Sequence, residues 1–395
     1  MNQGSIQAAN RALLLELIRE EGVCSRAHLA KKSGLQQSTV TFIINSFIQW
    51  GLVKETGLIT GSKGRRSIGV CINGDFYAVL GVRLTRHGYS VGIFNLAGMC
   101  LQEKSGSHEK GKTPIELMKK IISEAKAMMR EDTDHKVLAA GIAVPGPFNI
   151  KDGKIVLITE SEGWDSLNLS DIFKKELQLP TLLQHDASAG AWAQLWHNEK
   201  INSQGTFVYI SVGQGVGSGI LINGETIEGS IGVAGEIGHM SVDYNGVPCE
   251  CGNRGCLEKY TSSIALTKAI NQKLGTDYSF AQITDLIRGG DAICLQQYEQ
   301  CCDLLAMGIV NVINCLNPNE SVLGDVMVNV LPELFLERIC NIVRQRILPE
   351  VCANQRISVD ELGLNAELYG AAILAIKGIY KNIGYYFSED KLQEV

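Results

Sequence analysis

One histidine and three cysteines in a short glycine-rich stretch are the residues of this chain best suited to chemistry. His239, Cys249, Cys251 and Cys256 fall within 18 residues, in the sequence GEIGHMSVDYNGVPCECGNRGCLEKY. Three thiols and one imidazole form a complete tetrahedral set for Zn²⁺, and a set with all four positions filled by protein is structural rather than catalytic. Glycines between the ligands would let the loop fold around the metal. The alternative is a loop with three free or buried cysteines.

Three carboxylates are candidates for binding the hydroxyl groups of a sugar. Glu236 and Glu258 flank the cysteine-rich stretch, and Asp186 follows a predicted strand at 181–185. A carboxylate at the carboxyl end of a strand in an α/β fold commonly faces the ligand crevice, so Asp186 could orient a hydroxyl or act as a general base on it. The alternatives are that both glutamates are solvated surface charges and that Asp186 caps the following helix.

The glycine-rich segment 213–219, GQGVGSG, has two interpretations. Its backbone N–H groups could surround a phosphate, but the same glycines suit a tight turn between two strands. By itself the segment therefore does not indicate a nucleotide site.

The elements that would position these residues alternate between strands and helices, which is typical of an α/β body. The predicted strands are 76–82, 89–94, 137–144, 181–185, 206–212 and 219–222, and the predicted helices are 113–130, 187–197, 263–273, 301–315, 332–347 and 366–380. Similar strand–turn–strand units near 76–94 and 206–222 predict two α/β lobes with a ligand cleft between them. We place the first lobe at 76–190, completed by a C-terminal helix at 371–395, and the second lobe at 191–370.

The first 75 residues predict a winged helix-turn-helix. An apolar stripe at 10–18 indicates one helix, and a second helix begins after Ser25 and ends at Gly34. A third helix repeats apolar residues at the spacing of one buried face, namely Val40, Ile43, Ile44, Phe47 and Ile48. Strands near 52–55 and 68–72 would form a hairpin with a basic loop.

Two parts of this head carry the residues expected to contact DNA. Short polar groups at the start of the third helix suit base edges in a major groove, and the cations of the hairpin suit phosphates or a minor groove. The full set is Gln36, Gln37, Ser38, Thr39, Thr41, Lys63, Arg65 and Arg66. The alternative is a helical interaction or dimerisation module with a solvated basic loop.

The distribution of charge agrees with a DNA-binding head. Residues 1–75 hold nine Lys or Arg against five Asp or Glu, a net charge of +4, whereas residues 76–395 hold 27 against 37, a net charge of −10. No apolar run approaches the roughly 18 residues that span a bilayer, and the start of the chain lacks the features of a signal peptide. We therefore expect a soluble cytoplasmic protein with no membrane partner, in which the twelve cysteines are thiols or metal ligands.

Taken together, these motifs resemble the ROK family, which groups bacterial transcriptional repressors with sugar kinases. The winged helix-turn-helix matches the repressor branch, typified by regulators of xylose and N-acetylglucosamine use. The resemblance implies an actin-like (ribonuclease H-like) two-lobed body, a homo-oligomer (dimer or tetramer), a Cys3His zinc and a sugar site. The matching segments are GIAVPGP (141–147), the Asp186 segment, VGQGVGSGILINGE (212–225), GEIGH (235–239), CECGNRGCLE (249–258) and LYGAAILA (368–375).

The resemblance also assigns roles to residues. The zinc ligands fall on the histidine and three cysteines named above, and the sugar contacts fall on Asp186, Glu236, His239 and Glu258. His185 stands where the family usually has asparagine before the aspartate, as in some repressors. The sugar site therefore includes His185, and its ligand can differ from the substrates of the kinases.

The kinase motif of the family is altered in this chain. Kinases of the family open the body with Asp-x-Gly-Gly-Thr, whereas here Arg83 replaces the aspartate, and Thr85 and Arg86 replace the paired glycines. Bulky side chains would fill the space where backbone N–H groups approach phosphate, and an arginine cannot bind a metal ion. Asp325 also adds a negative charge where the family tends to have a second glycine.

These features predict a sugar-responsive repressor of carbohydrate-metabolism genes rather than an enzyme. Its partners would be operator DNA and a sugar or sugar-phosphate effector, which favours one arrangement of the lobes and weakens DNA binding. Two rivals stay open. One is a sugar kinase with a regulatory head, in which Asp186 is the base, and the other is a repressor controlled by a partner protein.

Overall fold

A winged helix-turn-helix head forms the N-terminal part of the computed structural model, which describes residues 3–60, 66–86, 88–107, 113–157, 163–164 and 166–387. Ser25 starts the second helix as predicted, because its hydroxyl oxygen accepts a hydrogen bond from the His28 N–H at 3.2 Å. Gly34 ends that helix with a φ of 70°. The elements of the head are α1 (Gln3–Glu21), β1 (Cys24–Ser25), α2 (Arg26–Ser33), α3 (Gln37–Gln49), β2 (Val53–Thr60) and β3 (Arg66–Ile72).

The apolar face predicted for α3 is confirmed. Val40, Ile43, Ile44 and Phe47 are buried, and Ile48 is half-buried. The three strands pair in the antiparallel order β1-β3-β2, and the strands of the hairpin are longer than the sequence indicated.

The first lobe is built on a five-stranded sheet in the order β10-β7-β4-β5-β6. Strands β4, β5 and β6 form an antiparallel meander, and β4, β7 and β10 are parallel. The elements are β4 (Tyr77–Thr85), β5 (Gly88–Asn95), β6 (Cys100–Ser107), α4 (Pro114–Glu131), β7 (Lys136–Val144), β8 (Phe148–Asn149), β9 (Lys154–Ile155), α5 (Leu169–Leu177), β10 (Thr181–His185) and α6 (Asp186–His197).

The second lobe repeats this layout in a sheet of order β13-β12-β11-β14-β15. Here β11, β12 and β13 form the meander, and β11, β14 and β15 are parallel, so the two similar lobes expected from the sequence are present. The elements are β11 (Thr206–Val212), β12 (Val216–Ile222), β13 (Glu225–Thr226), α7 (Glu258–Thr261), α8 (Ser263–Leu274), α9 (Phe280–Arg288), α10 (Ala292–Leu316), β14 (Glu320–Gly324), α11 (Pro332–Arg346), α12 (Pro349–Cys352) and β15 (Arg356–Val359), with short 3₁₀ helices at Ile237–His239 and Gly363–Asn365. Two more helices follow in the chain: α13 (Ala366–Lys381) packs on α6 and the first sheet, and α14 (Ile383–Tyr386) packs in the core of the head.

Helices α6 and α13 lie between the two sheets and join them. Their side chains share one apolar cluster with the second sheet, and α13 also packs on β4 and β7 of the first sheet. This is the two-lobed, actin-like α/β architecture that the resemblance implied. Because both helices contact both lobes, the lobe boundaries at 190 and 370 stay predictions.

The head packs directly against the body. Leu14, Leu15 and Ile18 of α1 share one apolar core with Val79 of β4 and Ile376 of α13. At the edge of this core, the rings of Trp50 and Phe387 stack with centroids 5.9 Å apart. A displacement of α13 would therefore shift the side chains of α1 that pack in the same core.

Several predicted elements need correction. The C-terminal helix begins at Ala366 and ends at Lys381, with residues 388–395 outside the described part of the chain. Helix α10 begins nine residues earlier than predicted, and the sequence patterns missed α5, α9, β6, β14 and β15. Among the described residues, α10 is the one helix long and apolar enough to cross a membrane, but half of its apolar window is buried, as in a core helix.

Candidate functional site

A cavity of about 160 Å³ lies between the lobes and collects the predicted sugar site. The first lobe contributes the end of β4, the 145–147 loop and the start of α6, and the second lobe contributes the β11–β12 turn and the cysteine-rich loop. All five residues predicted to bind sugar line this cavity, namely His185, Asp186, Glu236, His239 and Glu258.

Asp186 is the first residue of α6, and His185 occupies the N-cap position without a capping side chain, so the alternative that Asp186 caps this helix is wrong. The carboxylate of Asp186 instead accepts a hydrogen bond from the Ala187 N–H at 2.7 Å, which fixes its orientation at the cavity wall. The buried imidazole of His185 places Nε2 3.3 Å from Asp186 Oδ1 and 3.6 Å from Glu236 Oε1. His185 therefore lies between the carboxylates of the two lobes, without a hydrogen bond to Glu236 Oε1.

The two glutamates are not solvated surface charges, so that alternative is also wrong. Glu258, the first residue of α7, is only 4% exposed, and Glu236 precedes the 3₁₀ helix with a side chain that is 19% exposed. Burial raises the pKa of Glu236, although His185 and His239 act to lower it. Among the described residues, none donates a hydrogen bond to Oε1 of Glu236 or Oε1 of Glu258. Buried acceptors of this kind are suited to hydroxyl donors of a ligand.

Arg83 crosses the cleft from β4 of the first lobe. Its guanidinium lies 2.9 Å from Asp325 Oδ2 and 3.2 Å from Glu367 Oε2, and it donates to the Leu364 carbonyl oxygen at 2.6 Å. Burial acts to lower the pKa of Arg83, but Glu367 and Asp325 raise it above its ordinary value. Ser211 of β11 completes the network by donating to Glu367 Oε1 at 2.9 Å. The side chain that replaces the kinase aspartate therefore forms a cation bridge between the lobes.

Arg86 makes the second bridge across the cleft. It donates to the carbonyl oxygen of Gln214 at 3.0 Å and to Glu258 Oε2 at 3.1 Å. The glycine-rich segment forms the tight turn between β11 and β12 and the first half of β12, and ion-paired side chains cover the turn. A Cβ at Gly213 would overlap the Asp325 carboxylate, and a Cβ at Gly215 would lie 2.6 Å from Arg86 Nη2.

The predicted metal ligands form a cluster in the second lobe. The ligand atoms of His239, Cys249, Cys251 and Cys256 all lie within 4.8 Å of one another. Sγ of Cys251 is 3.6 Å from Sγ of Cys256, and Sγ of Cys249 is 3.7 Å from Nδ1 of His239. Tetrahedral thiolate ligands at the usual zinc–sulfur distance are roughly 3.8 Å apart, so the donor set and its spacing fit a metal ion. Burial raises the pKa of the Cys256 thiol, a cost that a bound cation would offset.

The residues predicted to contact DNA differ in their exposure to solvent. Gln36, Gln37 and Ser38 are exposed, Thr39 and Thr41 are half-buried, and Arg66 is exposed at the start of β3. The hydroxyl of Thr41 donates to the Gln37 carbonyl oxygen at 2.9 Å within the helix. Lys63 and Arg65 lie outside the described residues.

Sequence reasoning missed two residues that the structure singles out. Phe42 is 60% exposed on the outer face of α3, beside Thr41 and Asn45. The sequence could have indicated Phe42, because it is the large apolar residue of α3 that falls outside the buried stripe. Glu367 is fully buried in the Arg83 network, and the sequence could have indicated it as the one acidic residue of an otherwise largely apolar helix.

Comparison with known proteins agrees with this architecture. The family model described as "ROK family" matches residues 79–378. A xylose repressor of Caldicellulosiruptor bescii is 26% identical over 392 residues, covering 95% of this chain and 97% of that protein. The crystal structure of a ROK family transcriptional regulator, a homologue of the E. coli MLC protein, superposes with a TM-score of 0.80 at 25% identity over 95% of this chain and 97% of that one.

A kinase of the same family is also similar in structure. The ROK family glucokinase from Streptomyces griseus, solved with glucose and AMPPNP, has a TM-score of 0.67 and 25% identity over 75% of this chain and 99% of that one. The repressor relatives thus span the head and the body, whereas the kinase spans a part the size of the body alone. With the family model covering most of the chain, this protein belongs to the ROK family.

Proposed function

We propose that this protein is a transcriptional repressor of carbohydrate-metabolism genes whose DNA affinity is controlled by a sugar or sugar phosphate bound in the cleft. The observation that carries the proposal is the packing of a winged helix-turn-helix head into the same apolar core as β4, which borders the cleft, and α13, whose Glu367 pairs with Arg83 of the cleft. Because the sugar site and the DNA-binding head belong to one folded unit, binding at one site can change the affinity of the other.

Two helices would carry the signal between the cleft and the head. Helix α6 begins at Asp186 in the cavity and reaches Trp196, whose ring lies 4.2 Å below the Arg19 guanidinium of α1. Helix α13 carries Glu367 in its first turn, and nearer its end it places Lys377 Nζ 3.9 Å from Glu16 of α1. A ligand that shifts the lobes moves both helices, and this movement would change the separation of the heads in a homo-oligomer.

The DNA surface would combine α3 with the β2–β3 hairpin. Gln36, Gln37, Ser38, Thr39 and Thr41 would face base edges, and Phe42 would contact a thymine methyl group, the apolar feature of the major groove. Arg66, together with Lys63 and Arg65, would contact the backbone. A dimer would place two such helices in successive major grooves, about 34–36 Å apart.

A sugar kinase with a regulatory head is the rival function. The two cleft arginines argue against it, because their ion pairs with Asp325 and Glu258 cover the glycine turn that a nucleotide phosphate would need. A guanidinium also cannot replace the carboxylate that helps to hold magnesium. We therefore infer that the chain does not transfer phosphate.

The cysteine-rich cluster would hold a structural Zn²⁺ through His239, Cys249, Cys251 and Cys256. When bound, the metal cross-links the loop that also presents Glu236 and Glu258 to the cavity. His239 Nδ1 points to the cluster, so its other ring nitrogen remains for the cleft. Such a protein would work in the cytoplasm, where thiols stay reduced.

The proposal is tested with the purified chain and DNA from upstream of its own gene, by fluorescence anisotropy at fixed salt. We expect a dissociation constant of about 10⁻⁸ to 10⁻¹¹ M and an increase of about tenfold or more with an effector sugar. Asp186→Asn should bind DNA normally but respond weakly to sugar. Failure to bind this DNA, or ATP-dependent sugar phosphorylation that Asp186→Asn abolishes, would contradict the proposal.

A further inference from the structure

We infer that the effector is an uncharged sugar, and that Glu258, by holding the Arg86 cation, makes the cleft discriminate against the phosphate ester of the same sugar. The inference rests on the proposed function and narrows its ligand to one chemical class. Three independent features of the cavity support it: its charge, its unpaired acceptors and the position of Arg86.

The charge of the cavity opposes an anionic ligand. Four carboxylates line it against two guanidinium groups, which leaves a net charge of −2 with neutral histidines. Both cations are already committed, because Arg83 is paired with Asp325 and Glu367, and Arg86 is paired with Glu258. A phosphate dianion would therefore meet carboxylates that no free cation of the cavity lining compensates.

The unpaired acceptors of the cavity call for hydrogen-bond donors. Oε1 of Glu236 and Oε1 of Glu258 are buried and accept no hydrogen bond from the described residues. The hydroxyl groups of a sugar are donors, whereas the oxygen atoms of an ionised phosphate only accept. A polyol thus satisfies these two atoms, and a phosphate group placed beside them does not.

Arg86 is not free to bind a phosphate group. Its side chain is only 11% exposed and is fixed between Glu258 Oε2 at 3.1 Å and the Gln214 carbonyl oxygen at 3.0 Å. To bind a phosphate, Arg86 would have to leave Glu258, and a buried carboxylate without its cation is strongly unfavourable. Glu258 thus holds Arg86 with one oxygen atom, and its other oxygen atom has no hydrogen-bond partner among the described residues.

The experiment is isothermal titration calorimetry with paired ligands: xylose and xylose 5-phosphate, glucose and glucose 6-phosphate, and N-acetylglucosamine and its 6-phosphate. We expect the wild-type chain to bind at least one free sugar, and to bind the phosphate ester of that sugar at least about tenfold more weakly, a difference of about 1.4 kcal/mol. Glu258→Gln frees the Arg86 cation and should shift the ratio of the two affinities at least about tenfold toward the ester.

Two further variants separate discrimination from general damage. In Arg86→Gln the ester should still be rejected, because the carboxylates remain. Arg338→Gln, whose ion pair with Asp303 lies outside the cavity, should leave the ratio unchanged. Circular dichroism and zinc content of each variant report folding.

The outcomes distinguish this inference from the proposed function. A wild-type chain that prefers an ester, or binds both members of a pair within threefold, overturns the inference and leaves the repressor function standing. A chain that binds neither member of any pair overturns the proposed effector site itself. An unchanged ratio in a folded Glu258→Gln variant refutes the role assigned to the Arg86–Glu258 pair.

Discussion

Cys251 is the exposed member of the four-residue metal cluster, so a substitution there leaves no buried cavity. Cys251→Ser removes one thiolate and should release the metal, since a structural zinc contributes folding energy. A loss of about 2 kcal/mol lowers the melting temperature of a domain of this kind by about 4–8 °C. Metal analysis and calorimetry test this, with exposed Cys315→Ser as the control. A variant that melts like wild type would contradict a structural metal.

Glu367 should make stability depend on pH. Burial raises its pKa to about 7, although Arg83 acts to lower it. Because this folded-state pKa lies above the ordinary value of 4.5, its stabilising contribution is complete at low pH and is lost as pH rises through about 7. Relative to wild type, Glu367→Gln should therefore gain unfolding free energy between about pH 5 and pH 8. Urea denaturation measures this. A difference that stays constant across the range, as expected for exposed Glu350→Gln, would show that Glu367 does not titrate there.

The β2–β3 hairpin and helix α3 should contribute to DNA binding in different ways. Arg66 is an exposed cation at the start of β3, so Arg66→Ala should weaken binding to all sequences alike. The slope of log K against log salt should fall by about 0.9, the value for one phosphate contact. Anisotropy titrations on operator and random DNA at several salt concentrations provide the test. A loss confined to one base pair would instead mean that the hairpin reads sequence.

Helix α3 should read sequence through Phe42. The contact between a thymine methyl group and the exposed Phe42 ring is lost when thymine is replaced by uracil or when Phe42 is replaced by alanine. We expect either change alone to weaken the free energy of DNA binding by about 1–3 kcal/mol. The two changes together should weaken it by little more than either change alone. The same titrations on thymine-to-uracil operators measure this double-mutant cycle. Additive losses would place Phe42 away from the methyl group.

At the scale of the whole molecule, the sequence predicted what is encoded locally. The metal cluster lies within 18 residues, and the stripe of α3 within nine, so spacing alone located both. The two lobes were visible because each repeats a strand–turn–strand unit. The sequence could not show that Arg83 pairs with Asp325, 242 positions away, because such contacts depend on how the lobes meet. Strands β14 and β15, of five and four residues, were also missed.

The shared core of head and body makes a prediction about coupling between the sugar and DNA. If α6 carries the signal to α1, loss of the contact between Arg19 and Trp196 should weaken coupling without removing either binding site. For Arg19→Gln we expect the ratio of DNA affinities without and with sugar to fall by a factor corresponding to about 0.5–2 kcal/mol. Because coupling is reciprocal, the ratio of sugar affinities without and with DNA must fall by the same factor. Lys32→Gln, which breaks an ion pair with Glu21 in the head, is the matched control. If coupling survives in Arg19→Gln and in Lys377→Met, then neither of these two polar contacts transmits the signal, and the apolar core that α1 shares with β4 and α13 carries it instead.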